Sequence, residues 1–205
     1  MKSDKNYLVE YLFPTPIYTT VLEGRDIELV QYEISNKIEN LKFNKKQEWG
    51  DTHALSSIDF KKCVIKELNL INFRKILHIN LKKYCDSINF TPKNYLSESW
   101  FTLFKKNDYG HSHIHGNADI SGVYYYKTNE KDGDILFDNP SPQVPMSKCF
   151  SLNSSWKHTP KVGKLLLFPS YLSHSIQRNT TEEDRISLSF NITFFPESYD
   201  NPNIR

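Results

Sequence analysis

Along the first half of this chain apolar residues recur at helical spacing, and along the second half at strand spacing. Ile27, Val30, Ile34, Ile38 and Leu41 fall three or four positions apart with charged residues between them, which predicts an amphipathic helix. Phe73, Leu77, Leu81 and Tyr84 continue that period in a second helix, expected from about Lys62 to Ser87 with Ser57 or Asp59 as its cap. Ahead of both, Tyr7 to Leu22 is rich in β-branched and aromatic residues and predicts an opening strand or two, with Pro14 and Pro16 marking a break or an edge. Between the helices, Lys45 to Ser56 holds Trp49, Gly50 and His53 and reads as a loop over a cavity. His53, standing alone there, reads as a structural or solvated histidine.

After Pro92 the pattern changes to short strands separated by turns. Ser99 to Phe104, Ile120 to Lys127, Ile135 to Phe137 behind an Asp132-Gly133 turn, Lys164 to Phe168 and Arg185 to Phe195 are the expected strands. Helices followed by many short strands predict a mainly β fold, a sandwich or jelly roll with the N-terminal helices packed on one sheet. No repeat, low-complexity stretch or linker divides the chain. One domain is therefore expected over 1–205, with helical support at about 25–90 and a jelly-roll core at about 95–196. The polar tail from Ser198 to Arg205 is expected to fray.

Two stretches carry candidate chemistry. His111, His113 and His115 occupy alternate positions, so on a strand their imidazoles leave from one face, and imidazole is the commonest protein ligand for a transition metal. The last predicted strand puts Arg185, Ser187, Ser189 and Asn191 on one face and Ile186, Leu188, Phe190 and Ile192 on the other. Its polar face must meet solvent or a polar cavity. His174 stands eleven residues before Arg185, across the turn-rich Asn179 to Asp184. Two antiparallel strands joined by that turn would bring His174 and Arg185 together across one face.

The series His113-x-His115, then His174, then Arg185-x-Ser187 resembles the iron(II)- and 2-oxoglutarate-dependent oxygenases. Phe13-Pro-Thr-Pro16, Ser121-Gly-Val-Tyr-Tyr125, Leu167-Phe-Pro-Ser170 and Arg185-Ile-Ser-Leu-Ser-Phe-Asn191 narrow that resemblance to a small family of bacterial and phage oxygenases. It covers most of the chain and implies a double-stranded β-helix, cupin-like, with Fe(II) held by His113, His115 and His174. It also implies 2-oxoglutarate as co-substrate, its far carboxylate bound by Arg185 and Ser187, with Asn191, Thr102 and Tyr124 as further co-substrate contacts; Trp100 and Tyr126 are weaker candidates. The implied reaction is hydroxylation of an unactivated C–H bond of a small molecule, amino acid or peptide side chain, releasing succinate and CO2. Most of the superfamily has a carboxylate where this chain has His115. His111 or Asp119 in place of one imidazole, or a site with only two protein ligands, therefore stays open. Two other classes also accommodate three histidines: a zinc enzyme, and a cupin-type module that binds metal without catalysis.

Composition removes several possibilities. The net charge is +2, from 26 basic and 24 acidic side chains, and no basic run interleaves with aromatics, so nucleic acid is not indicated as a partner. Cys63, Cys85 and Cys149 are odd in number and widely spaced, which suits a reducing cytosol, and no apolar leader or span marks export or a membrane. A cytoplasmic enzyme is expected, with self-association left open.

Overall fold

The computed structural model describes residues 13–45, 52–56, 63–91, 94–141, 143, 146 and 154–195. Its strands are β1 (Tyr18–Val21), β2 (Phe43–Lys45), β3 (Ala54–Ser56), β4 (Asn94–Phe104), β5 (Gly110–His113), β6 (Ile120–Lys127), β7 (Ile135–Asp138), β8 (Ser155–His158), β9 (Lys164–Pro169), β10 (His174–Ile176) and β11 (Arg185–Phe195). The helices are α1 (Gly24–Ile38), α2 (Val64–Glu67) and α3 (Ile71–Ser87). Seven strands form a major sheet in the order β1-β9-β6-β11-β4-β3-β2, and four form a minor sheet in the order β5-β10-β7-β8. All of the strand pairings within the two sheets are antiparallel.

Two faces of the major sheet bury two different clusters. Leu165, Leu167, Leu188, Phe190 and Ile192 turn to the helices and meet Val30, Ile34, Phe73 and Leu77; Leu166, Phe168 and Val123 turn the other way, toward Ile135 and Phe137 of the minor sheet. This explains the unbroken apolar run of β9, because a strand covered on both faces has no polar side to show. Gly122 opposes Phe190 across the β6–β11 ladder, and a Cβ there would run into the Phe190 ring. The glycine leaves room for the aromatic side chain on the helix side.

The predicted second helix is broken in two. Asn69 takes a left-handed conformation with φ 52° and separates α2 from α3. The new N-terminus of α3 is capped from α1: Glu33 accepts the backbone N–H groups of Asn72 at 2.9 Å and Phe73 at 3.0 Å. A carboxylate on two orphan N–H groups stabilises a helix start by about 1 kcal/mol. That cap lies on another helix and leaves no mark in local sequence. Ser57 and Asp59, the expected caps, lie outside the described residues, as do Trp49, Gly50 and Cys149. Within the expected loop at 45–56, Ala54–Ser56 is instead the strand β3, which pairs with β2 on one side and β4 on the other. β8 was not anticipated either, being only four residues long.

Among the described residues no helix is long and apolar enough to cross a membrane.

Candidate metal centre

The cavity between the two sheets takes its floor from the polar face of β11. Register makes that floor a set of rows: Arg185 beside Phe104, Ser187 flanked by Thr102 and Tyr125, Ser189 by Trp100 and Val123, Asn191 by Ser121. Arg185, Thr102, Ser187 and Ser121 are all buried. The polar face deduced from alternation thus meets an interior cavity and not solvent, and all four of its residues line it. The cavity volume of about 70 Å³ admits only a slim ligand.

The opposite wall carries the imidazoles. His113 ends β5 and His174 begins β10, and the two strands pair with these residues opposite each other. His115 lies beyond the end of β5, where its backbone N–H donates to the Ser170 carbonyl at 2.9 Å. One ligand atom from each of His113, His115 and His174 lies within 4.8 Å of the others. That spacing suits three nitrogens around a single ion. Two of the rings are already oriented: Nδ1 of His113 donates to the His111 carbonyl at 2.8 Å, and Nδ1 of His174 to the Leu172 carbonyl at 2.9 Å, which leaves Nε2 of each as the nitrogen available to a metal. Burial holds His115 down to about 4 and His174 to about 3, with His113 nearby adding to both shifts, so both rings are neutral and ready to ligate near neutral pH.

His111 is exposed, packed edge-on against Tyr109 and outside the cluster, because β5 stops at His113 and the three histidines do not continue one strand face. Asp119 is engaged elsewhere, accepting the Phe194 N–H at 2.7 Å. His174 and Arg185 do not sit on paired strands; β10 and β11 belong to opposing sheets and face each other across the cavity. That separation leaves room for a ligand between them.

Among the described residues Arg185 is the largest side chain with almost no exposure. Its Nη1 donates to the carbonyls of Gly133 at 2.8 Å and Asp132 at 3.3 Å, and its guanidinium carbon lies 4.0 Å from the centroid of Phe104. Gly133 has φ +103°, and a Cβ there would strike the Gln177 carbonyl, so the turn that presents this acceptor requires glycine. Among the described residues Nε of Arg185 has no hydrogen-bond partner, and neither has the hydroxyl of Tyr125. Burial pulls the Arg185 pKa down and pushes Tyr125 up to about 12, each opposed by the other. A buried guanidinium with no ion pair and a free donor is costly alone, and a carboxylate ligand would satisfy it.

Tyr124 is a correction. It points to the helix side, where its ring packs on Phe73 at 5.2 Å and its hydroxyl accepts from Gln31 at 3.2 Å. Tyr126 lies with the same cluster, so parity along β6 leaves Tyr125 as the tyrosine that lines the cavity. His53 is also closer than expected: it is buried, stacked on Phe104 at 4.8 Å, and lines the cavity. Nothing near it in sequence signals this, since β3 reaches the site only by pairing with β4.

Residues 98–191 match the family model described as "Putative 2OG-Fe(II) oxygenase". No curated protein sequence matches the chain. Among solved structures, a Pseudomonas putida prolyl-4-hydroxylase is similar with a TM-score of 0.59 and 11% identity, over 89% of this chain and 94% of that one. A Trichoplax adhaerens prolyl hydroxylase in complex with a hypoxia inducible factor peptide fragment has a TM-score of 0.57 and 13% identity, over 87% and 83%. The epimerase SnoN in complex with Fe3+, alpha ketoglutarate and nogalamycin RO has a TM-score of 0.62 and 9% identity, over 93% and 87%. At these identities the likeness to solved structures is one of fold, a jelly roll.

Proposed function

We propose that this chain, which belongs to the 2OG-Fe(II) oxygenase family through its residues 98–191, hydroxylates an unactivated C–H bond of a small molecule, amino acid or peptide side chain. The family works with iron(II) and 2-oxoglutarate. The observation that carries the reading is a pairing within one cavity: three convergent imidazoles on one wall, and a buried guanidinium with an unpartnered Nε on the other. A zinc enzyme or a passive metal-binding module has use for the first and none for the second.

The residues divide the work as follows. His113, His115 and His174 would hold the iron through one nitrogen each. Arg185 would take the far carboxylate of 2-oxoglutarate by charge-assisted hydrogen bonds, with Ser187, two residues along β11, and Tyr125, opposite Ser187 on β6, as further donors. Thr102 completes that row from β4 and Asn191 reaches the imidazole end. Phe104, Phe168 and Ile176 wall the cavity with apolar surface, which excludes water and strengthens the electrostatic contacts within it. When bound, iron and 2-oxoglutarate supply the oxidising power by which R–H, O2 and 2-oxoglutarate become R–OH, succinate and CO2. The whole chain, 1–205, acts as one domain, since the helices cover the outer face of the sheet whose inner face lines the cavity.

The test is anaerobic reconstitution with iron(II), titration with 2-oxoglutarate, and admission of air. A weak visible absorption band on adding the keto acid, followed by succinate, is expected. Metal binding with neither signal would overturn the oxygenase reading in favour of zinc chemistry or a binding module.

A further inference from the structure

We propose that the substrate to be hydroxylated carries an ammonium or guanidinium group, which the carboxylate of Glu98 and the indole of Trp100 receive at the mouth of the cavity. The inference rests on the oxygenase reading above and narrows its substrate class. Exposure along two strands of the cavity floor locates the mouth. On the cavity face of β11, Arg185 and Ser187 are buried, whereas Ser189, Asn191 and Thr193 are half-buried. On that of β4, Phe104 and Thr102 are buried, whereas Trp100 and Glu98 are half-buried. Register sets Trp100 beside Ser189 and Glu98 beside Asn191, so both strands open at one end. That end holds the imidazoles: the ring of Trp100 lies 6.2 Å from that of His115, centroid to centroid, and the Asn191 amide lies 3.4 Å from Nδ1 of His115. Arg185 closes the other end, so a second molecule approaches the three histidines past Trp100 and Glu98.

The permanent charge at the mouth has one sign. The stretches around it, 94–101, 110–122, 170–176 and 187–195, contain neither lysine nor arginine, in a chain with 26 of them. Their two acidic residues are Glu98 and Asp119. Asp119 is exposed and already engaged, accepting the Phe194 N–H at 2.7 Å. Glu98 has neither a hydrogen bond nor an ion pair among the described residues, although it is half-buried. A carboxylate partly withdrawn from water attracts a cation more strongly than one in bulk solvent. Trp100, two positions along the same face, lines the cavity and adds an indole, the side-chain ring that attracts cations most. The two ends of the cavity therefore carry opposite charge. Arg185 draws the keto acid inward, while Glu98 repels a second anion and leaves the mouth to a cation.

The probes are lysine and arginine capped as N-acetyl methylamides, so that the side chain bears the only charge, against norleucine and glutamate capped in the same way. Binding is read in protein loaded with zinc(II) and 2-oxoglutarate, which does not turn over, from the indole N–H resonance of Trp100, assigned with Trp100→Phe. The basic probes should bind the wild type at least about 5-fold more tightly than norleucine, with an advantage that shrinks as salt rises, and glutamate more weakly still. Glu98→Gln should remove most of that advantage without moving the 2-oxoglutarate titration, and Glu98→Lys should transfer it to glutamate. With iron(II) and air, the probes should raise succinate formation in the same order. Free lysine, run beside the capped form, tells an amino acid from a residue in a peptide by which of the two binds more tightly. Norleucine or glutamate matching the basic probes in the wild type, or no probe moving the Trp100 resonance, would overturn the proposal. The two levels separate: no visible band when 2-oxoglutarate meets the iron(II) protein defeats the oxygenase reading, while a band without preference for the basic probes defeats only the substrate class.

Discussion

At the imidazole end of the cavity burial keeps His115 and His174 neutral, and the outer nitrogens of His113 and His174 are already engaged, on the carbonyls of His111 and Leu172. At the other end Arg185 is buried as a cation, shares two carbonyls through one nitrogen, and leaves Nε and the Tyr125 hydroxyl unpartnered. The first end has lone pairs to offer and lacks a cation; the second has donors to spare and lacks an anion. A polar group left unsatisfied inside a protein costs roughly 1–3 kcal/mol. The contrast therefore shows where stability has been given up, and for what kind of ligand.

The largest expected effect breaks the metal end alone. His174→Ala should lower iron(II) affinity by more than about 100-fold, measured by chelator competition, because a buried ligand and its oriented partner are lost together. Near wild-type occupancy would remove His174 from the triad. Arg185→Leu should break the other end alone, weakening 2-oxoglutarate by about 100-fold, or roughly 3 kcal/mol, with iron affinity unchanged. Because a buried unpaired charge is removed, the ligand-free variant should melt no lower than the wild type. A parallel fall in metal affinity would mean that the two ends are not independent.

Tyr125→Phe sharpens the comparison on a smaller scale. Losing one donor to a charged ligand should weaken 2-oxoglutarate about 5- to 10-fold by titration of the visible band, close to 1 kcal/mol, while ligand-free stability holds or rises because a buried orphan hydroxyl is gone. An effect of similar size, on stability and not on ligand binding, concerns His53, which lies against Phe104, the ring that also faces Arg185. Burial holds its pKa down to about 4, against 6.5 ordinarily. It is thus neutral in the folded chain while the unfolded chain takes up a proton, so its contribution is complete above pH 6.5 and is lost as pH falls toward 4. Between those limits the slope is roughly 1 kcal/mol per pH unit. The metal-free wild type should lose melting temperature from pH 7 to 5, and His53→Gln should lose less of it. Equal slopes would mean that His53 titrates normally.

Much of this site was legible along the chain because its parts are local. Alternation along β11 named the four polar residues of the cavity floor, and the ends of β6 and β11 agree with the runs of β-branched and aromatic residues that predicted them. Tyr124 was misassigned because alternation states which residues share a face but not which face is the cavity. The choice between Tyr124 and Tyr125 was made by the helices, since Gln31 and Phe73 claim the Tyr124 side. The broken second helix is similar: the apolar period runs on through it, and only the left-handed Asn69 and a carboxylate from α1 end one segment and begin the next.

By itself the sequence determined the layer pattern, the polar face of the last strand, and a set of histidines able to hold a metal, because periodicity and side-chain chemistry are properties of neighbours in the chain. Tertiary structure decided which histidines meet. His111 is excluded and His115 included because β5 ends between them and the Ser170 carbonyl draws the chain inward. It also set His174 across from Arg185, on opposing sheets and not on one, and brought in His53 from just ahead of β3, more than a hundred residues before Arg185. Those are contacts between distant segments, formed when two sheets close over a cavity, and no local pattern encodes them.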